Sequence, residues 1–330
     1  MTNIEHERTE ELLRQASPRP VPSPADIAAA RAAVRDEWQA VIGRRRTQRL
    51  VMRLALAASL VLAAFVGYSL VRAPMPTPIV VAEVVMDFGP VYLSGDDGQL
   101  RAASGQVMAG QTLVTEADAG LALEWGAGGS LRVDEHTRLT LTGADRVQLV
   151  SGRVYFDSVS TPQQPAAGDG NAARLRLETT HGVVRHVGTQ YMADVSRDAL
   201  VVSVREGQVE IDGRFHQGRA REGQQVTLSG SQQPSILSID RSGREWAWVA
   251  RRTPAADVDG KTLHEFLVWA CRETGLRLQF EGNAEAVARD TVLRGRIDAE
   301  PAEALRLRLA TTALKWRIEE GVIHITDETR

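Results

Sequence analysis

Cysteine is almost absent from the sequence: Cys271 stands alone among 330 residues. No intrachain disulfide can form, so packing and hydrogen bonding must hold the fold, and a single thiol is safest buried. Lysine is nearly missing as well, with Lys261 and Lys315 the only two among 39 basic residues. That bias reads as high-GC bacterial coding rather than as a recognition device. The basic residues are outnumbered by 42 Asp and Glu, for a net charge of −3. There is no electrostatic footprint for nucleic acid, and no direct nucleic-acid partner is expected. Long apolar runs are also absent, with one exception.

The exception is residues 54–71, LALAASLVLAAFVGYSLV, 18 residues without a charge between Arg53 and Arg72. At about 1.5 Å per residue the run reaches roughly 27 Å, close to the ~30 Å hydrocarbon core of a bilayer. A buried helix of a soluble core and a cleaved signal peptide are the competing readings. The run starts too far into the chain for a signal peptide, and no A-x-A-like site follows it cleanly. A single transmembrane helix over residues 50–72 is expected. Arg44, Arg45, Arg46, Arg49 and Arg53 crowd its N-terminal side, whereas Arg72 stands alone until Arg101. The positive-inside rule then places residues 1–49 in the cytoplasm and the bulk of the chain across the membrane. Residues 1–53 hold 10 Arg against 7 acidic residues, so the outer part is the acidic one.

The tail, residues 1–49, carries one or two short helices. One fits residues 5–15 and ends at the prolines of residues 18–24. A second opens with Ser23 as cap, Pro24 at the first helical position and Asp26 completing an S-x-x-D box. Ile27, Ala30, Val34, Trp38 and Val41 recur at helical spacing on one face. This face can lie at the membrane interface with Trp38 among the headgroups. Equally, Ile27, Val34, Trp38 and Val41 can dock a cytoplasmic partner with Trp38 as anchor. The basic cluster at residues 44–49 suits anionic lipid better than DNA, given its place beside the membrane.

Residues 73–79 form a Pro-rich linker. From residue 80 to 240 the pattern changes to short alternating strands punctuated by glycine, which predicts an all-β domain, a β-sandwich or irregular β-solenoid. Residues 149–157 and 204–212 share G-x-V-x-x-D, with a weaker echo at residues 105–107; the glycines are expected to supply the positive φ of tight turns. Residues 160–173 read as a flexible excursion. His181 and His186 lie five apart with no cysteine or carboxylate at ligand spacing, so hydrogen-bonded histidines are expected rather than a metal site. The glycines of residues 126–129 are flanked by strands, so they form a hairpin turn and no phosphate cradle. Asp96-Asp97-Gly98 reads as a turn.

The segments LRVDEHTRL (131–139), QLVSGRVYFD (148–157), TTHGVVRHVGTQY (179–191), VREGQV (204–209) and EGQQVTL (222–228) stand in this order over roughly 100 residues. Together they resemble the FecR domain of bacterial transmembrane sigma-factor regulators.

Residues 241–330 change pattern again. Thr262 and Glu265 form a T-x-x-E box opening a helix whose buried face is Leu263, Phe266, Leu267, Ala270 and Cys271, and Gly275 ends it. Cys271 therefore belongs to a core. Strands are expected at residues 276–280 and 291–294, a helix from Pro301, and a hairpin of residues 314–318 and 322–326 around Glu320-Gly321. This βαββαββ order, in GKTLHEFLVWACRETGLRLQF (260–280) and LRGRIDAEPAEALRLRLATTALKWRIEEGVIHIT (293–326), resembles the secretin and TonB short N-terminal (STN) domain. The resemblance implies a small, non-catalytic α+β module that binds by adding strands or packing helix faces.

The whole layout resembles a FecR-type anti-sigma transducer with an unusually short tail. That resemblance implies an inner-membrane protein whose periplasmic part contacts the signalling domain of a TonB-dependent receptor or another periplasmic protein. Its tail would regulate an extracytoplasmic-function (ECF) sigma factor. An envelope scaffolding protein built from the same modules is the alternative. No catalytic, cofactor or metal site is expected.

Overall fold

The computed structural model describes residues 10–11, 14, 23–71, 79–95, 100–126, 128–158 and 175–327; the side chains of residues 36, 39–55, 57, 60, 67, 69–71 and 187 lie outside that description. The chain divides into two compact units, Met1–Pro76 and Thr77–Arg330.

In the first unit one helix, α1, runs unbroken over Pro24–Val71, 48 residues or about 72 Å. Its start follows local chemistry: Asp26 N donates to Ser23 Oγ at 3.2 Å and Ser23 Oγ donates back to Asp26 Oδ2 at 2.7 Å. The division expected near residue 50, between a short tail helix and a separate span, is not seen. Residues 42–53 carry no helix breaker, since Gly43 is a lone glycine among good helix formers, so the helix continues. The helix expected over residues 5–15 is described only at residues 10, 11 and 14, all helical. Among the described residues no helix is long and apolar enough to cross a membrane. Several side chains of the 54–71 run, Leu54, Ala55 and Ala57 among them, lie outside those residues.

In the second unit 15 strands form one hydrogen-bonded network between Val80 and Ser238. Its apolar residues close on a single core, in which Leu113, Leu121, Leu131, Leu149, Val202 and Ile211 are buried. Two long strands organise it. Arg146–Asp157 pairs with Arg138–Gly143 through its first half and with Ser130–Val133 and Gly182–Val195 through its second. Leu200–Gly213 pairs with Gln224–Leu228 through its first half and with Gln217–Arg221 through its second. Gly152 and Gly207, the glycines of the echoed motif, sit at these changes of partner with φ of 90° and 80°. They are not turn residues, as expected from sequence, but bends inside continuous strands, where a side chain would strike Thr137 and Gly188. The glycines near residue 128 do join two antiparallel strands, Gly120–Trp125 and Ser130–Val133.

The sheet is followed by a short helix, α2 (Ala247–Arg251), and then by a module with its own core. Here α3 (Leu263–Thr274) begins at the expected capping box and ends at Gly275 with φ 75°. Cys271 is buried in its core face, which pushes its thiol up to about 12. The order beyond departs from βαββαββ. A further helix, α4 (Ala284–Asp290), follows Arg277–Glu281. The strand expected at residues 291–294 is reduced to one bridge between Thr262 and Val292, and the paired strand is Arg296–Ile297. The α4 stretch is only 7 residues, too short for a periodic pattern to declare itself. Helix α5 (Pro301–Leu309) leads into the hairpin Lys315–Glu319 and Val322–Thr326. Its second strand runs parallel to Arg277–Glu281.

Candidate functional site

Three regions of the molecule bear on the site expectations. The first is the face of α1. Ile27, Val34 and Trp38 share one shallow depression with Ala30, Arg31 and Arg35. Trp38 is 66% exposed and Val34 69%. Ile27, Val34 and Trp38 thus lie together and exposed, while the side chains of Val41, Arg44, Arg45, Arg46, Arg49 and Arg53 lie outside the described residues, as does Arg72 altogether.

The second region joins the β-sheet to the C-terminal module, and alternation in the strands does not announce it. Strand Ser130–Val133 places Leu131 and Val133 toward the main core, which should leave Arg132 in water. Arg132 is instead 2% exposed. Its neighbours across the sheet are Tyr155 and then Met192. Trp246, Trp248 and Val249 cover that row and bury it in a second, smaller core. Arg132 Nη2 donates to Glu273 Oε1 at 2.8 Å, and its Nη1 approaches Oε2 at 2.7 Å. Arg205 lies 4.4 Å over the Trp246 ring and donates to the carbonyls of Arg241 and Glu273. Arg272 donates to Asp157 Oδ2 at 3.0 Å and to Glu206 at 3.1 Å, while Gln190 donates to the same Asp157 oxygen at 2.8 Å. The last turn of α3 is thus fixed against the outer face of the sheet by one ionic contact out of water, Arg132–Glu273, and by the partly exposed contacts of Arg272.

Electrostatics follow from that geometry. Burial alone would push the Glu273 carboxyl up; the Arg132 charge and hydrogen bond, helped by Arg205 and Thr253, hold it below the ordinary range. Burial likewise pulls Arg132 down, and Glu273 more than offsets this. Two tryptophans close together in residues 244–252, REWAWVARR, were the available signal that something covers the sheet here.

The third region is the hairpin edge of the C-terminal module. Strand Lys315–Glu319 pairs on one side only, and all five of its residues are exposed. Glu320 and Gly321 both take positive φ, 48° and 73°, as a two-residue turn of type I′ requires. The turn closes on Glu319 and Val322, so the alternation of an antiparallel ladder turns the backbone groups of Trp316 and Ile318 outward. Their side chains lie opposite Ile325 and Ile323 and continue that buried face past its cover. Unsatisfied backbone groups beside two apolar side chains make a surface for strand addition.

The two histidines separate. His186 is buried between Phe156 and Tyr191, its Nε2 accepts from Leu175 N at 3.1 Å, and burial lowers it to about 4. His181 lies outside the strand, in a turn, with Nε2 3.0 Å from Ser196 O. Among the described residues no three His, Cys, Asp or Glu side chains gather as a metal site.

Residues 111–210 match the family model described as FecR protein. No curated protein matches the chain. Among solved structures, two crystal structures named "putative anti-sigma factor" from Parabacteroides distasonis ATCC 8503 are similar. One is 14% identical with a TM-score of 0.34, covering 66% of this chain and 99% of that one. The other is 15% identical with a TM-score of 0.27, covering 77% and 99%. At these values the likeness does not bear on function.

Proposed function

We propose that this chain is a single-pass inner-membrane signal transducer of the anti-sigma type. Residues 1–49 face the cytoplasm and regulate an ECF sigma factor, and the FecR domain and the STN-like module face the periplasm. There they meet the signalling domain of a TonB-dependent receptor or another periplasmic protein. The observation that carries the reading is the FecR match at residues 111–210 in one chain with a helix whose uncharged run begins after five arginines. Leu56, Val61, Leu62, Phe65 and Val66 all stand exposed on that helix. So much bare apolar surface on one element calls for a cover, and lipid supplies it. The chemistry required is binding alone, without a catalytic step.

The cytoplasmic end is tested by capture. The full-length protein in detergent should retain a sigma factor co-expressed with it. Trp38→Ala should weaken retention at least tenfold, as expected for an aromatic anchor, and Val34→Asp should do the same. If wild-type protein retains none of the host's ECF sigma factors, the anti-sigma reading fails.

A further inference from the structure

At one end of the β-sheet, away from the junction with α3, three loops enclose a cleft of about 200 Å³. One is the turn holding His181. Another is the loop Arg214, Phe215 and His216 between strands Leu200–Gly213 and Gln217–Arg221. The last follows strand Gln224–Leu228 and brings Gln232. The loops are tied together: Arg214 N donates to His181 O at 3.2 Å, joining the first two, and His216 Nε2 lies 2.9 Å from Ser231 O, joining the third, while Gly213 N closes its own loop by donating to His216 O at 3.1 Å. The cleft is formed in advance of any ligand.

Its chemistry is one-sided. Arg214 and the two imidazoles line it, no carboxylate does, and Phe215 and Leu228 give it an apolar wall. The nearby Asp212 is matched by Arg185 at 3.6 Å. Each histidine has one ring nitrogen committed. His181 Nε2 lies 3.0 Å from Ser196 O and His216 Nε2 lies 2.9 Å from Ser231 O. A carbonyl oxygen only accepts, so both Nε2 atoms carry the hydrogen, and in the neutral tautomer this leaves Nδ1 as an acceptor. The set offers a guanidinium for a carboxylate, imidazole acceptors for hydroxyl groups and, beside the guanidinium that lies 5.5 Å over it, the Phe215 ring for a carbon framework. At about 200 Å³ the cleft falls below the range that takes drug-sized ligands.

We propose that this cleft is a binding site for a small hydroxylated carboxylic acid. Arg214 holds the carboxylate, His181 and His216 accept from its hydroxyl groups, and its carbon framework lies against Phe215. The site is independent of membrane orientation and of any sigma factor.

The test follows the imidazole resonances of ¹³C-histidine-labelled full-length protein in detergent during titration with three probes. 4-Hydroxybenzoate should shift His181 and His216 and leave the buried His186 in place. Benzoate, which lacks the hydroxyl, should bind about tenfold more weakly, and 4-hydroxybenzamide, which lacks the charge, should cause no shift. Arg214→Gln, on an exposed loop, should weaken 4-hydroxybenzoate at least tenfold with the thermal midpoint unchanged, and Phe215→Ala should weaken it severalfold. The proposal is overturned if none of the probes moves the two resonances, if acid and amide move them equally, or if Arg214→Gln binds as the wild type does.

Discussion

Arg132 and Glu273 show how a residue can escape notice in sequence and still govern a structure. Strand alternation assigns Arg132 to solvent, and a glutamate in the last turn of a helix has no obvious call to be buried. Only the covering of the sheet's outer face by Trp246 and Trp248 strips both of water. A buried pair contributes little net stability, because desolvation offsets most of the attraction, but breaking it leaves a bare charge. Glu273→Ala should therefore lower unfolding stability by about 3–5 kcal/mol in denaturant titration. The double change Arg132→Met with Glu273→Leu should recover most of the loss. His186 supports a second expectation. Its folded value is about 4 against an ordinary value near 6.5, so the unfolded chain takes up the proton first. The stability from keeping His186 neutral is complete above pH ~6.5, falls as the pH drops toward 4 and then levels off, at most about 3 kcal/mol in all. Midpoints measured between pH 7.5 and 4.5 should show this slope, and His186→Gln should flatten it. A slope that persists in the variant would assign it to other groups.

At the scale of elements, what was legible was local chemistry. The Ser23 cap, the Thr262–Glu265 capping box, the Gly275 stop and the Glu320-Gly321 turn each depend on a few neighbouring residues, and each is found where the sequence places it. What failed depends on distant partners. Gly152 and Gly207 signal positive φ correctly, but whether such a residue ends a strand or bends it is decided by which strands lie alongside. Residues 291–294 look like a strand from their β-branched content, yet they pair only briefly, through the Thr262–Val292 bridge and the backbone hydrogen bonds of Thr291 and Leu293 to residues 260–263. The hairpin edge carries its own expectation. Proline at Ile318 removes an outward N–H and no rung of the existing ladder. Ile318→Pro should abolish binding of a partner strand to this module while moving the thermal midpoint by only a few degrees. If the Ile318→Pro protein binds the signalling domain of the proposed receptor as the wild type does, strand addition at this edge is not the mode of contact.

At the scale of the whole molecule, the sequence marks the β-rich domain and the change to an α+β module, and both are found in the structure. It does not reveal that these share one compact unit, because the contacts joining them are a handful of charges scattered over the chain. The orientation read from Arg44, Arg45, Arg46, Arg49 and Arg53 is open to a direct check. Alkaline phosphatase fused after residue 80 should be active, and fused after residue 40 it should be inactive. The reverse pattern would turn the molecule around and remove the sigma factor from reach.

The separation of 141 positions between Arg132 and Glu273 has a meaning for synthesis. A nascent chain that has emerged as far as the last strand of the sheet holds all of the sheet and none of its outer cover. Until residues 246–249 emerge Tyr155 and Met192 stay wet, and until α3 is made Arg132 lacks its carboxylate and Arg205 the Glu273 carbonyl. Prematurely terminated products would share that defect, whereas a completed chain hides it. The junction thus separates finished from unfinished molecules, since only the unfinished ones display that surface.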